Sequence, residues 1–286
     1  MLTISINPVA FTIGSLEIRW YGIMAALGVA SLLVIMLREA KRRGLSRDIY
    51  SIFFWGVIGG VIGGRLAYVI YYWEQFMANP REIFGFQGLA QMGMILGIIV
   101  AALIYMGVTR MRFSTLLSIG DVFIVGALLA LAMGRLGCTL NGCCYGQPSP
   151  FHVFPLAIMY TPRDTIPPQY WNVPLYPTQI YHVLWNLIVF AIVWVSRRKF
   201  KPAGSLVFFG FSLYAIGDLA LRFLRAGRGT ADGAILFWGL DNPQVVDLAL
   251  IVIFLPWLIF KLRRFHEEPL VAEPASEARL EQNQEG

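Results

Sequence analysis

The amino-acid sequence predicts an all-α polytopic membrane protein with about seven transmembrane helices, and three observations predict it. Hydrophobic residues make up 57% of the 286 and charged residues only 14%, where a soluble domain carries about 25% charged residues. The mean hydropathy is +0.62, more apolar surface than soluble packing hides, so a bilayer is the natural solvent. The lysines and arginines fall in short clusters between apolar runs. That spacing makes the net charge of +6 a topology signal rather than a nucleic-acid footprint, and no nucleic-acid partner is expected.

The elements follow in order. Residues 1–18 are mildly apolar and nearly uncharged, without the basic start or small-residue cleavage site of a signal peptide. With turns at Asn7-Pro8 and Gly14-Ser15 they read as an ordered lead-in on the membrane surface. A first span over about residues 20–37 ends in Arg38, Lys41, Arg42, Arg43 and Arg47, the densest basic cluster, which places that turn inside and the N-terminus outside. The second span, about residues 50–72, carries Gly56, Gly59, Gly60, Gly63 and Gly64, a spacing that lets helix backbones approach closely. Arg65 and an aromatic band of Tyr68, Tyr71, Tyr72 and Trp73 follow.

A short outer loop around Asn79-Pro80-Arg81-Glu82 leads to a third span at about residues 89–106, and an inner turn with Arg110 and Arg112 leads to a fourth at about residues 116–133. The fifth span (about 180–195) ends in Arg197, Arg198, Lys199 and Lys201, and the seventh (about 245–260) in Lys261, Arg263 and Arg264, both inside. The sixth (about 205–224) breaks the trend, ending outside with Arg222, Arg225 and Arg228. Residues 1–265 thus form one transmembrane domain, and the acidic residues 266–286 read as a disordered cytoplasmic tail.

After the fourth span comes Gly134-Arg135-Leu136-Gly137-Cys138-Thr139-Leu140-Asn141-Gly142-Cys143-Cys144-Tyr145-Gly146, and then a proline-rich outer loop to about residue 178. An arginine at the end of an apolar segment is expensive to desolvate, so a functional reading is the default. The arginines after the sixth span (Arg222, Arg225 and Arg228), with Arg65 and Arg135, all fall toward the outer half of the membrane, where something anionic is expected to hold them. The plain alternative is interface arginines snorkelling to water. Guanidinium offers a planar fork of donors matched to phosphate oxygens, so the pattern points to an anionic-lipid headgroup site. Asn141 is placed to orient an ester or hydroxyl, and Gly137, Gly142 and Gly146 to let backbone approach the ligand. The three cysteines lie within seven residues, are odd in number and have no histidine at ligand spacing, His152 being eight residues away. They read as packing in a tight turn rather than as a metal site.

The segment Gly134–Gly146 resembles the signature of the prolipoprotein diacylglyceryl transferase family, close to G-R-[IL]-G-x-x-x-N-G-x-x-x-G. Other motifs match in order: Arg19-Trp20-Tyr21-Gly22-Ile23-Met24 resembles R/H-W-Y-G-[LI]-M, and Gly63-Gly64-Arg65-Leu66-Ala67-Tyr68 resembles G-[GA]-R-L-G-Y. Tyr176-Pro177-Thr178-Gln179-Ile180-Tyr181 is similar to H-P-[ST]-Q-L-Y, and Arg222-Phe223-Leu224-Arg225 to E-[FY]-[FL]-R. The resemblance covers about residues 8–262. It implies a multi-pass protein of the bacterial plasma (inner) membrane with its site toward the outer leaflet. It also implies transfer of diacylglycerol from phosphatidylglycerol to the lipobox cysteine of a preprolipoprotein, without a cofactor. Carried over residue by residue, it marks Arg135, Arg225 and Tyr21 as catalytic, and Gly134, Arg65, Asn141, Gly142, Gly146 and Gln179 as substrate-binding.

The departures are specific. Met92 stands where the family has a histidine, Cys138 where it has an asparagine, Cys143 or Cys144 where it has a glutamate, and His182 where another glutamate follows the Gln motif. Methionine accepts no proton, so His182 is the candidate substitute base. The competing readings are a diverged paralogue that binds anionic lipid or modifies another acceptor, and a small anion transporter. Transport predicts inverted repeats or broken helices near the midplane, and the sequence carries no internal repeat.

Overall fold

The computed structural model describes residues 2–14, 16–78, 90–200, 202–227, 235 and 238–267. In lipid, backbone N–H and C=O groups have only each other as partners, which drives apolar runs into helices. Among the described residues seven helices are long and apolar enough to cross a membrane: α1 (Trp20–Arg43), α2 (Ser46–Tyr71), α4 (Gln91–Thr109), α5 (Phe113–Asn141), α6 (Thr178–Ser196), α7 (Ser205–Arg222) and α8 (Asn242–Glu267). A short α3 (Trp73–Ala78) follows α2. The protein is a polytopic, mainly helical membrane protein, as the composition predicts. The expected loop at residues 79–82, Lys201, Arg228 and the tail from residue 268 lie outside the described residues.

Two features differ from the sequence reading. The lead-in is not a plain surface segment but strands: β1 (Leu2–Ile4) pairs in parallel with β4 (Ile158–Tyr160), and β2 (Val9–Ile13) pairs antiparallel with β3 (Leu16–Arg19). The chain start and the proline-rich loop therefore build one head, cored by Ile4, Ile158, Tyr160, Ile166 and Leu175. The fourth span also runs on beyond residue 133 to Asn141, carrying Gly134, Arg135 and Gly137 as helix. Gly137 would punctuate a soluble sequence, but in a bilayer bundle small residues make helix contacts. A Cβ on Gly137 would lie 3.3 Å from Tyr21 Cα on α1. The helix stops only at Gly142, in the left-handed region (φ 79°), whose N–H donates to Cys138 O at 2.9 Å.

Packing is tight where glycines face each other. Gly59 and Gly63 on α2 meet Gly93 and Gly97 on α4, and a Cβ on Gly63 would sit 2.8 Å from Gly97 Cα. Helix α1 lies along α5, with Gly28 against Ala130 and Gly126 against Leu32. The central seam of α5, α6 and α7 is filled by Ile124, Val125, Leu128, Val189, Val193, Leu206 and Val207.

The end opposite the head is closed by buried charge. Asp121 on α5 is fully buried and accepts from Gly204 N–H (2.9 Å) and Val207 N–H (2.8 Å), so it caps the N-terminus of α7 from another helix. Arg43 Nη1 lies 3.3 Å from the same carboxylate. Glu39 accepts from Arg42 (2.9 Å to Nε) and from Arg197 (3.0 Å to Nε). Part of the basic signal that reads as topology is thus also paired in the bundle.

Candidate functional site

At the head end, the last two turns of α5 carry Arg135, Cys138 and Asn141, and the turn beyond Gly142 carries Cys143 and Cys144. Cys144 is a non-glycine residue at φ 60°. The left-handed region costs an ordinary side chain about 1–2 kcal/mol, and here it belongs to the tight turn that brings the Cys144 thiol among the others. The Sγ atoms of Cys138, Cys143 and Cys144 lie within 4.8 Å of one another. The primary spacing hid this, because a helix end followed by a left-handed turn gathers residues that a linear count keeps apart.

Arg225 reaches this turn from beyond α7. Its backbone pairs with Gly146 in an antiparallel bridge, and its Nη2 lies 3.1 Å from Cys144 Sγ. The Cys144 thiol is held well below its usual value, first by hydrogen bonds with the Cys138 and Cys143 thiols, then by the positive charges of Arg225 and Arg135. Arg225, from beyond α7, thus meets the turn that closes the helix carrying Arg135. Tyr21, on the first turn of α1, packs its ring against Gly137. The structure brings together Tyr21, Arg135, Asn141 and Arg225 with the cysteines.

The remaining predicted residues sit as follows. Asn141 Oδ1 is buried without a hydrogen-bond partner, while its backbone O accepts from Thr165 Oγ1 at 2.6 Å. Gln179 is fully buried and donates through Nε2 to Cys143 O (2.8 Å) and Tyr160 Oη (3.1 Å), so it braces the cysteine turn. Gly146 leaves no opening for a ligand on its Cβ side: a Cβ there would meet Tyr176 Cβ at 2.5 Å and Leu224 O at 2.9 Å. Gly142 caps α5, and a Cβ would meet Arg163 Cδ at 2.9 Å. These two glycines are required by packing and backbone conformation. Gly134 faces open space, with nothing within 4 Å of an added Cβ. Arg65, on α2, places its guanidinium over the rings of Phe76 (5.3 Å) and Tyr68 (5.6 Å).

The sequence reading missed the carboxylate behind the arginines. Asp218 on α7 is buried; its Oδ2 accepts from Arg222 Nε at 2.8 Å, and its Oδ1 lies 3.6 Å from Arg135 Nη2 and 3.3 Å from Tyr214 Oη. Arg222 also lies 3.6 Å from Asp241 Oδ2. The anion that holds Arg222 is thus the protein's own, which corrects the expectation of an external one for that residue. The signal was present: Tyr214, Asp218 and Arg222 fall four apart on one helix face inside an apolar span.

His182 is buried between two acceptors, with Nδ1 2.6 Å from Thr178 O and Nε2 3.0 Å from Asp218 Oδ1. The Nδ1 contact is a hydrogen bond with the Thr178 carbonyl, whereas Nε2 makes no hydrogen bond despite its closeness to the carboxylate. This geometry places His182, the candidate substitute base, beside Asp218. Met92 lies on the first turn of α4.

Above the site, Arg163 ties the head together, donating to Ile4 O (2.5 Å), Thr161 O (3.3 Å) and Leu140 O (3.4 Å). Its guanidinium stacks 5.0 Å from the Tyr160 ring, and burial pushes its proton affinity down. Burial also pushes the Tyr145 phenol up to about 12, so it stays a neutral donor beside the cysteine turn.

Comparison with known proteins follows the same stretch of chain. The family model for prolipoprotein diacylglyceryl transferase matches residues 8–260. A phosphatidylglycerol–prolipoprotein diacylglyceryl transferase of Dehalococcoides mccartyi is 35% identical over 266 residues, covering 92% of this chain and 97% of its own. Proteins of the same name from Staphylococcus carnosus (33% over 268 residues, 92% and 93% covered) and Clostridium tetani (30% over 265 residues, 92% and 100% covered) are also similar. With the match running from the lead-in strands through the last span, the chain belongs to the prolipoprotein diacylglyceryl transferase family.

Proposed function

We propose that this protein transfers the diacylglyceryl group of phosphatidylglycerol to the lipobox cysteine thiol of preprolipoproteins, the first step of lipoprotein maturation. The observation that carries the reading is that Arg225 meets, at Cys144, the turn that closes the helix carrying Arg135. In the transfer, the client sulfur forms a bond to a glycerol carbon while that carbon's bond to the phosphate oxygen breaks. The thiol proton leaves, and glycerol phosphate departs with the electron pair. Negative charge grows on the phosphate oxygen, and fixed guanidinium groups in a dry site stabilise it without reorganising. Arg225 contacts the sulfur of Cys144 through one nitrogen, and Arg135 meets Asp218 at the longer distance of 3.6 Å. We assign both arginines to the phosphate, Tyr21 and Asn141 to the glycerol and ester oxygens, and Arg65 to the outer edge of the headgroup.

The client thiol reacts as thiolate. A free cysteine with a pKa near 8.5 is a few per cent ionised at neutral pH, so a positioned thiol supports transfer with no histidine at residue 92. We place the protein in a bacterial plasma membrane with the head and the site toward the outer leaflet. The Arg38–Arg47, Arg197–Lys201 and Lys261–Arg264 clusters support that orientation as inside signals.

The test is complementation of a bacterium depleted of its own transferase, with membrane expression checked by blotting. The wild-type chain restores lipoprotein modification, and Arg135→Ala and Arg225→Ala do not. A well-expressed wild-type protein that leaves preprolipoprotein unmodified would sink the reading.

A further inference from the structure

The cysteine turn holds chemistry that diacylglyceryl transfer does not use. Cys138, Cys143 and Cys144 are free thiols with their sulfurs within 4.8 Å of one another. Soft thiolate sulfur selects d10 ions such as zinc, and structural zinc sites are commonly built from three or four cysteines. We propose that these three thiols form a binding site for one thiophilic d10 divalent metal ion of the zinc class. The proposal stands on this geometry and does not depend on the transferase reading.

Four features of the surroundings support it. The backbone is committed to the cluster: Cys144 adopts φ 60°, a region ordinary side chains avoid. The cluster lies at the C-terminal end of α5, where the helix dipole and unpaired carbonyls favour a cation. A divalent ion with three thiolates carries one net negative charge, and Arg225, 3.1 Å from Cys144 Sγ, is placed to offset it through an N–H···S bond. Such outer donors to bound ligands orient and tune metal sites. Finally, the side chain of Asn141, beside Cys143, carries a buried Oδ1 without a hydrogen-bond partner.

The cysteine turn is anchored from outside. Gln179 Nε2 donates to Cys143 O at 2.8 Å and Thr178 Oγ1 to Cys144 O at 2.9 Å, so the three sulfurs are presented by a braced loop. Binding replaces each remaining S–H by an S–metal bond and releases its proton to solvent, with no change in oxidation state. Bound metal would lock the turn that carries Asn141 and receives Arg225.

The experiment uses the full chain purified in detergent under reducing conditions, stripped with a chelator and titrated with cadmium, which reports thiolate ligation as an ultraviolet charge-transfer band. One cadmium per chain with that band, displaced by zinc, is expected. Cys138→Ser and Cys144→Ser should each weaken binding by more than the roughly 10- to 100-fold that loss of a supporting contact costs. Because a single variant can misfold, thermal unfolding is measured in parallel: zinc should raise the midpoint of the wild type and leave that of C138S/C143S/C144S unchanged. Absence of the band in the folded wild type, or its persistence in the triple variant, would overturn the proposal.

Discussion

Arg135 and Arg222 are held by opposite oxygens of one carboxylate: Asp218 Oδ1 faces Arg135 Nη2 at 3.6 Å, and Oδ2 accepts from Arg222 Nε at 2.8 Å. The two contacts differ in kind. The shorter is a direct charge-assisted hydrogen bond that fixes Arg222 in the bundle. The longer is an ion pair that sets the direction of Arg135 while its guanidinium remains near the cysteine turn. Removing the carboxylate takes this partner from Arg135 and leaves Arg222 with Asp241 at 3.6 Å, and breaking a buried pair costs about 3–5 kcal/mol. Asp218→Ala is therefore expected to lower the unfolding midpoint in detergent more than Arg222→Met, which removes a charge together with its need for a partner. Equal midpoints for the two variants would contradict this assignment.

For the arginines of the site, loss of a preorganised donor to developing charge costs about 100- to 1,000-fold in rate. Arg225→Ala should lower lipidation of a lipobox peptide by that order, and Arg225→Lys should recover only part, because ammonium lacks the planar fork. Thermal unfolding of Arg225→Lys should match the wild type, separating the chemical loss from misfolding.

His182 is expected to act as a positioning residue through Asp218. His182→Gln should reduce the maximal rate modestly and leave the shape of its pH profile unchanged. A lost acidic limb in that profile would instead mark His182 as the proton acceptor.

The cap on α7 gives a test independent of function. Asp121 satisfies Gly204 N–H and Val207 N–H across the bundle. Loss of a capping side chain typically costs about 0.5–2 kcal/mol, and loss of Asp121 also leaves Arg43 without this partner. Asp121→Ala should destabilise beyond the upper end of that range, measured by thermal unfolding in detergent. Arg43→Ala should restore part of the loss in the double variant, as expected for coupled neighbours.

The α2–α4 contact depends on absent side chains. Gly97→Leu forces a side chain against Gly59 and Gly63, and overpacking of this kind costs about 1–3 kcal/mol. Engineered cysteines placed along the two helices should cross-link in the wild-type background and fail to do so in Gly97→Leu.

Much was legible in the sequence because a bilayer imposes simple rules. An apolar run of sufficient length must become a helix, so the seven spans and their order were readable from composition alone. Arg135, Asn141 and Arg225 stood out as well, because a charged or polar residue beside an apolar span has few reasons to be there, whereas Tyr21 was marked by the family resemblance alone. Helix boundaries were less legible: the continuation to Asn141 includes α1 packing against Gly137, a contact no local pattern contains.

The sequence by itself determined that this chain spans a membrane and that basic and glycine-rich motifs gather near one end. Only the tertiary structure decided which charges answer which. It gave Arg222 to Asp218, enclosed His182 between two acceptors, and assigned Gly142 and Gly146 to cap and packing. It also drew Cys138, Cys143 and Cys144 to within 4.8 Å of one another beside Arg225. The physical reason is that burial in an apolar medium is a property of a residue and its neighbours in sequence. Pairing of charges and convergence of thiols are instead short-range and angular, and are set by how helices far apart in the chain come to lie side by side.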